Sequence, residues 1–118
     1  MKLFVFGGRD FTDYQRLSGV LDLVQIHMPE GNSLEIISGM ARGADMLAVQ
    51  YAREHSLGVY EYPANWDKFG KRAGFIRNSH MARACDEAIG FWDQRSKGTA
   101  HSISELERLA KPLLVINY

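Results

Sequence analysis

Five short apolar runs recur along the chain: Leu3 to Phe6, Leu34 to Ile37, Val59 to Tyr62, Ala88 to Trp92 and Leu113 to Ile116. Each of the first four leads through a loop into a segment of helical spacing, so the order reads β-α-β-α-β-α-β-α-β. Runs this short and apolar suit strands buried on both faces, and strands joined through helices must be parallel, with right-handed crossovers. The prediction is a Rossmann-like three-layer α/β/α sandwich with a five-stranded, mainly parallel sheet, in one domain spanning residues 1–118.

The helical segments differ in clarity. Thr12-Asp13-Tyr14-Gln15 has capping-box spacing, and Leu17, Val20, Leu21, Val24 and Met28 then recur at helical intervals up to Pro29. A second helix is expected from Ala44 to about His55, with Gly58 as a stop signal near its end, and a third, with a weak apolar stripe, from roughly Lys71 to Arg83. A fourth begins near Thr99, buries Ile103, Leu106 and Ala110, and must end before Pro112. Pro63 to Gly70 is a long connection for so small a domain, and such loops are often functional.

Composition excludes several classes. No apolar run approaches the ~20 residues of a membrane span, and the apolar segment at the start is too short for a signal peptide, so a cytoplasmic protein is expected. Cys85 has no second thiol to pair with, and is expected to be a small buried hydrophobe. His27, His55, His80 and His101 lie in no metal-ligand spacing, and no magnesium motif is visible, so neither a metal nor a resident cofactor is expected. Fourteen basic residues balance fourteen acidic ones. That balance, without a recognition motif, argues against nucleic acid as a partner.

In an open parallel sheet, ligands bind at the carboxyl ends of the strands, where the strand order reverses. The loops at that edge are Gly7 to Asp10, Ser38 to Asp45, Pro63 to Asn78 and Asp93 to Thr99. They hold Arg9, Arg42, Lys68, Lys71, Arg72, Arg77, Arg95 and Lys97, eight of the fourteen basic residues, so a neutral chain has a basic edge. Glycines there let backbone approach a ligand, arginine binds phosphate through paired hydrogen bonds, and helix N-termini offer free N–H groups. The candidate ligand-binding residues are Gly7, Gly8, Arg9, Asp10, Ser38, Gly39, Arg42, Gly43, Asp45, Arg77, Asn78, Ser96, Lys97, Gly98 and Thr99. Thr99 is read both as a phosphate donor and as the cap of its helix. Trp66, Phe69, Phe91 and Trp92 flank these loops, and one of them could stack on a base, although Phe91 and Trp92 read better as the end of a core strand.

The blocks FGGRDF (Phe6 to Phe11), SGMARGAD (Ser38 to Asp45), PANWDKFGKRAGFIRN (Pro63 to Asn78) and FWDQRSKGTAHSI (Phe91 to Ile103) together resemble the signature blocks of the YspA/YpsA-related branch of the SLOG superfamily. The resemblance implies a Rossmannoid domain that binds nucleotides or nucleotide-derived ligands. Relatives in the superfamily include the LOG phosphoribohydrolases, the DNA-processing protein DprA, and sensors of cyclic ADP-ribose-type signals. It further implies a homo-oligomer and a phage or prophage setting. LOG enzymes carry a PGGxGTxxE motif with a catalytic glutamate. Here Gly98-Thr99 matches the Gly-Thr, but Ser102 stands at the glutamate's position, and Glu105 reads as a local capping partner of Ser102.

The leading expectation is therefore a sensor or sequestering protein for a nucleotide-type small molecule. Gly8, Gly39, Gly43 and Gly98 would admit the ligand, Arg9, Arg42 and Arg77 would take its phosphates, and Asp45 would hold a ribose hydroxyl or orient Arg42. The alternative is an enzyme acting on an N-glycosidic bond, a phosphoribohydrolase or a deoxyribosyltransferase-like protein. Such an enzyme needs a carboxylate beside an oxocarbenium-like centre, and the candidates are Asp45 and Asp10, with Asp67 and Asp93 also in edge loops.

Overall fold

The computed structural model describes every residue from Met1 to Tyr118. The strands are β1 (Lys2–Gly7), β2 (Glu35–Ser38), β3 (Gly58–Glu61), β4 (Glu87–Trp92) and β5 (Leu113–Asn117), and the helices are α1 (Tyr14–Ile26), α2 (Ala44–Glu54), α3 (Trp66–Phe69), α4 (Ala73–Ala84) and α5 (Lys97–Arg108). One five-stranded sheet runs in the order β3-β2-β1-β4-β5, with every neighbouring pair parallel. The chain builds outward from β1 to β3, then returns to place β4 on the other side of β1. The strand order therefore reverses between β1 and β4.

Alternation along β1 explains the two layers of core. Leu3 and Val5 point to one face, where Leu17 and Leu21 of α1 and Ala44, Ala48, Tyr51 and Ala52 of α2 cover them. Phe4 and Phe6 point to the other and meet Met81 and Ala82 of α4, Cys85 and Leu106 of α5. Cys85 is buried, as its lack of a partner thiol suggested. Apolar character on both faces holds for the central strands only. Edge strand β3 is largely open to solvent and β5 partly so, because an edge strand has a neighbour on one side alone.

Several local expectations are corrected by the structure. Helix α1 is capped by Asp13, whose side chain accepts from the Arg16 N–H, rather than by Thr12. Pro63 to Gly70 contains the short helix α3, capped by Asn65, which continues through a 3-10 turn at Gly70–Arg72 into α4. Ser96 caps α5, not Thr99. Glu105 makes no pair with Ser102: it accepts from the Ser79 hydroxyl of α4 and from Arg108 at 2.8 Å, tying α5 to its neighbour.

Candidate functional site

A cleft of about 440 Å3 opens at the reversal point, between the carboxyl ends of β1 and β4. The first loop contributes Gly7, Gly8, Arg9 and Asp10, the second Ala41, Arg42 and Asp45, helix α4 Arg77, Asn78 and Met81, and the last loop with α5 Asp93, Ser96, Gly98, Thr99 and Ser102. Eleven of the fifteen sequence candidates share this wall. Ser38, Gly39, Gly43 and Lys97 do not line it.

The buried polar residues of the chain are Ser38, Asp45, Asn78, Thr99 and Ser102, and all lie on this edge, four of them on the cleft itself. Buried polar groups are costly unless bonded, and most of these hold loops in place. The Ser38 hydroxyl accepts from the Met40 N–H at 3.0 Å and donates to the Asp45 carbonyl. Asn78 donates to the Gly98 carbonyl, and the Thr99 hydroxyl donates to Ser96 Oγ at 3.0 Å. The Asp93 carboxylate accepts from the Arg95 and Ser96 N–H groups, both at 2.8 Å, which shapes the turn into α5 and holds its own carboxyl below the usual range. Met40 and Gln94, neither of them glycine, sit at φ 61° and 67° in two of these loops, a costly conformation that clusters at binding sites.

Asp45, in the first turn of α2, is 6% exposed. Burial raises its carboxyl to about 6, against the pull of the Ala41 N–H and the Arg77 and Arg9 guanidiniums. Its cationic neighbours are thus Arg77 and Arg9, not the Arg42 expected from sequence. Arg42 is exposed at the rim. Arg77 reaches across from α4, donates from one terminal nitrogen to the Gly39 carbonyl at 2.9 Å, and keeps its buried Nε–H without a partner. Burial lowers its pKa as well.

The glycines differ from expectation. A Cβ on Gly43 would stand 2.2 Å from the Gly8 carbonyl oxygen, one on Gly8 1.8 Å from the Tyr118 hydroxyl, and one on Gly39 3.0 Å from Asp45 Oδ2. Gly43 thus makes room for the backbone of the first loop, Gly8 for the Tyr118 and Asp10 side chains, and Gly39 for the Asp45, Met81 and Arg77 side chains. Gly98 alone of the four faces open space. Tyr118, bonded to Asp10 and packed edge-on against Phe11, closes the outer side of the first loop. Phe91 is fully buried in the core, and Trp92 donates its indole N–H to the Ser96 carbonyl.

Sequence reasoning misses Phe6, Ala41 and Met81 on the wall and reads Ser102 as standing in the glutamate's place and as a local capping partner of Glu105, not as a cleft residue. Helical spacing would have found two of them. Met81 and Ser102 lie three residues beyond Asn78 and Thr99 on the same helix faces.

Fold and cleft together define a Rossmann-like α/β protein with a polar, arginine-bearing site at the topological switch point. The chain belongs to the YspA, cpYpsA-related SLOG family, whose profile matches residues 1–69, which take in the first two signature blocks and the start of the third. It is 37% identical over 91 residues to the Gene 61 protein of Mycobacterium phage D29, covering 72% of this chain and 71% of that protein. Among solved structures it is similar to DNA processing protein A of Streptococcus pneumoniae (TM-score 0.79, 18% identity, 97% of this chain) and of Helicobacter pylori (TM-score 0.68, 20% identity, 98% of this chain). The chain spans 49% and 64% of those two structures, so the likeness is one of fold.

These neighbours overturn one expectation. The Helicobacter pylori protein binds single-stranded DNA, so the argument that a zero net charge excludes nucleic acid does not hold for this fold. Net charge averages over a whole surface, whereas binding depends on a local field. No helix of the chain is long and apolar enough to cross a membrane.

Proposed function

We propose that the cleft binds a small nucleotide or nucleotide-derived ligand of the ADP-ribose, NAD-derivative or signalling-nucleotide type, and that the protein acts as its sensor or sequestering protein in a phage or prophage setting. The observation that carries this reading is the grouping of Arg9 and Arg77 beside buried Asp45 at the switch point. The guanidiniums suit phosphate, and the carboxylate suits a ribose hydroxyl. Ser96, Gly98 and Thr99 add the N-terminal turn of α5, whose first N–H groups have no partners within the helix. Single-stranded DNA offers the same phosphates and bases, so a short oligonucleotide belongs among the ligands to be tried.

Calorimetry and thermal melting against AMP, ADP-ribose, cyclic ADP-ribose, NMN and a short oligonucleotide test the reading. Saturable binding without base release, abolished by Arg77→Ala, is the expected result. An Arg77→Ala protein that binds like the wild type would place the site elsewhere.

The second reading, cleavage of an N-glycosidic bond, is favoured by Asp45, a buried carboxyl raised to about 6 in a cleft. Asp10, the other candidate, is engaged by Tyr118. Free base in the reaction mixture that disappears with Asp45→Asn would decide for the enzyme. We also propose that the protein is a homo-oligomer, which sedimentation will measure.

A further inference from the structure

Four large aromatic side chains are well exposed: Tyr60, Trp66, Phe75 and Tyr118. Three of them have partners. Tyr60 bonds Glu35 and lies under the Lys2 ammonium, Phe75 stacks on His101 with ring centroids 4.2 Å apart, and Tyr118 is held by Asp10 and Phe11. Trp66, at 55% the most exposed, has no aromatic, cationic or hydrogen-bonding side-chain partner. It opens α3 at the sheet edge that carries the cleft.

Beside it stands a glycine that the fold does not require. Gly74, in the first turn of α4, has no positive φ, and a Cβ there would meet Trp66 Cη2 at 3.5 Å and Arg77 Nη2 at 3.9 Å, both ordinary contacts. Alanine would fit and would favour the helix. Glycine keeps clear a gap, one methyl wide, between the indole and the guanidinium. Arg77 links that space to the cleft, because its other terminal nitrogen bonds the Gly39 carbonyl beside Asp45.

We propose that Trp66, Gly74 and Arg77 form a base subsite, in which the planar base of a nucleotide lies on the Trp66 indole while its phosphate is held in the cleft by Arg77 and Arg9. This rests on the nucleotide reading of the cleft. The indole supplies a flat, apolar face that stacks on any base, and the gap over Gly74, which a single Cβ would fill in contact with both ring and guanidinium, is about the thickness of one planar base. Lys68, Lys71 and Arg72, on the same short stretch, keep the surroundings basic.

The test separates base from phosphate by titrating AMP and ribose 5-phosphate calorimetrically into the wild type and into Trp66→Ala, Trp66→Phe and Gly74→Leu. Trp66→Ala is expected to weaken AMP about tenfold and leave ribose 5-phosphate unchanged. Trp66→Phe should restore most of the loss, and Gly74→Leu, which fills the slot, should act like Trp66→Ala. If AMP binds Trp66→Ala as tightly as the wild type, or if both probes weaken equally, the subsite is overturned while the cleft reading stands. If the wild type binds neither probe, the subsite is overturned, and the cleft reading falls with it only when ADP-ribose, cyclic ADP-ribose, NMN and the oligonucleotide fail as well.

Discussion

At the scale of single residues, Asp45 and Gly43 show what the cleft costs the protein. Burial raises the Asp45 carboxyl from an ordinary 3.8 to about 6, so the folded protein holds it neutral to a higher pH than the unfolded chain does. The cost of ionising it is absent below pH ~4, grows through the window to pH ~6 and is complete above, at about 3 kcal/mol by the 1.4 kcal/mol per unit relation. Asp45→Asn has no such cost. Urea unfolding is expected to show the variant gaining on the wild type between pH 4 and 6, with a constant gap above pH 7; a gap that is flat with pH would refute the cause assigned to the shift. Gly43 combines φ +88° with a Cβ position that overlaps the Gly8 carbonyl. Gly43→Ala should therefore destabilise by roughly 2–4 kcal/mol, and a loss below 1 kcal/mol would contradict the loop packing described.

At the scale of elements, the loops that build the cleft are held by side chains binding backbone. The N-terminus of α5 depends on Ser96, whose hydroxyl accepts from the Thr99 N–H and from the Thr99 hydroxyl. Ser96→Ala is expected to cost about 1 kcal/mol in chemical denaturation. It should also weaken any phosphate ligand of that turn. Most element positions were legible in the sequence, since β1, α1, α2 and the stop of α5 before Pro112 follow from apolar periodicity and breakers close by in the chain. The caps were less legible. Thr12 and Thr99 have the right chemistry, but Asp13 and Ser96 have the geometry, and neighbouring candidates differ only in backbone angles that sequence does not display. The short helix α3 is not legible in the sequence, because four residues carry too little periodicity to register.

At the scale of the whole molecule, binding at the cleft should be visible in global unfolding, because the site is built from segments spread from Phe6 to Ser102. A ligand present at a hundredfold its Kd stabilises the native state by about 2.7 kcal/mol, which for a chain of this size raises the melting temperature by roughly 10 °C. AMP or ADP-ribose should produce that rise with the wild type and none with Arg77→Ala. Equal rises in both proteins would show that binding occurs away from the cleft.

The sequence alone determined the order of elements, the parallel sheet and the edge at which polar residues collect. Those features follow from periodicity and chain order, which are local. Tertiary structure alone decided which candidates meet. It set Arg77 of α4 rather than neighbouring Arg42 beside Asp45, spent Gly43 on packing loop against loop and Gly8 and Gly39 on making room for side chains, and left Trp66 open beside Gly74. Asp45 and Arg77, 32 positions apart, become neighbours only when α2 and α4, on opposite faces of the sheet, turn toward one crevice. That placement depends on packing throughout the fold, and no short stretch of the chain records it.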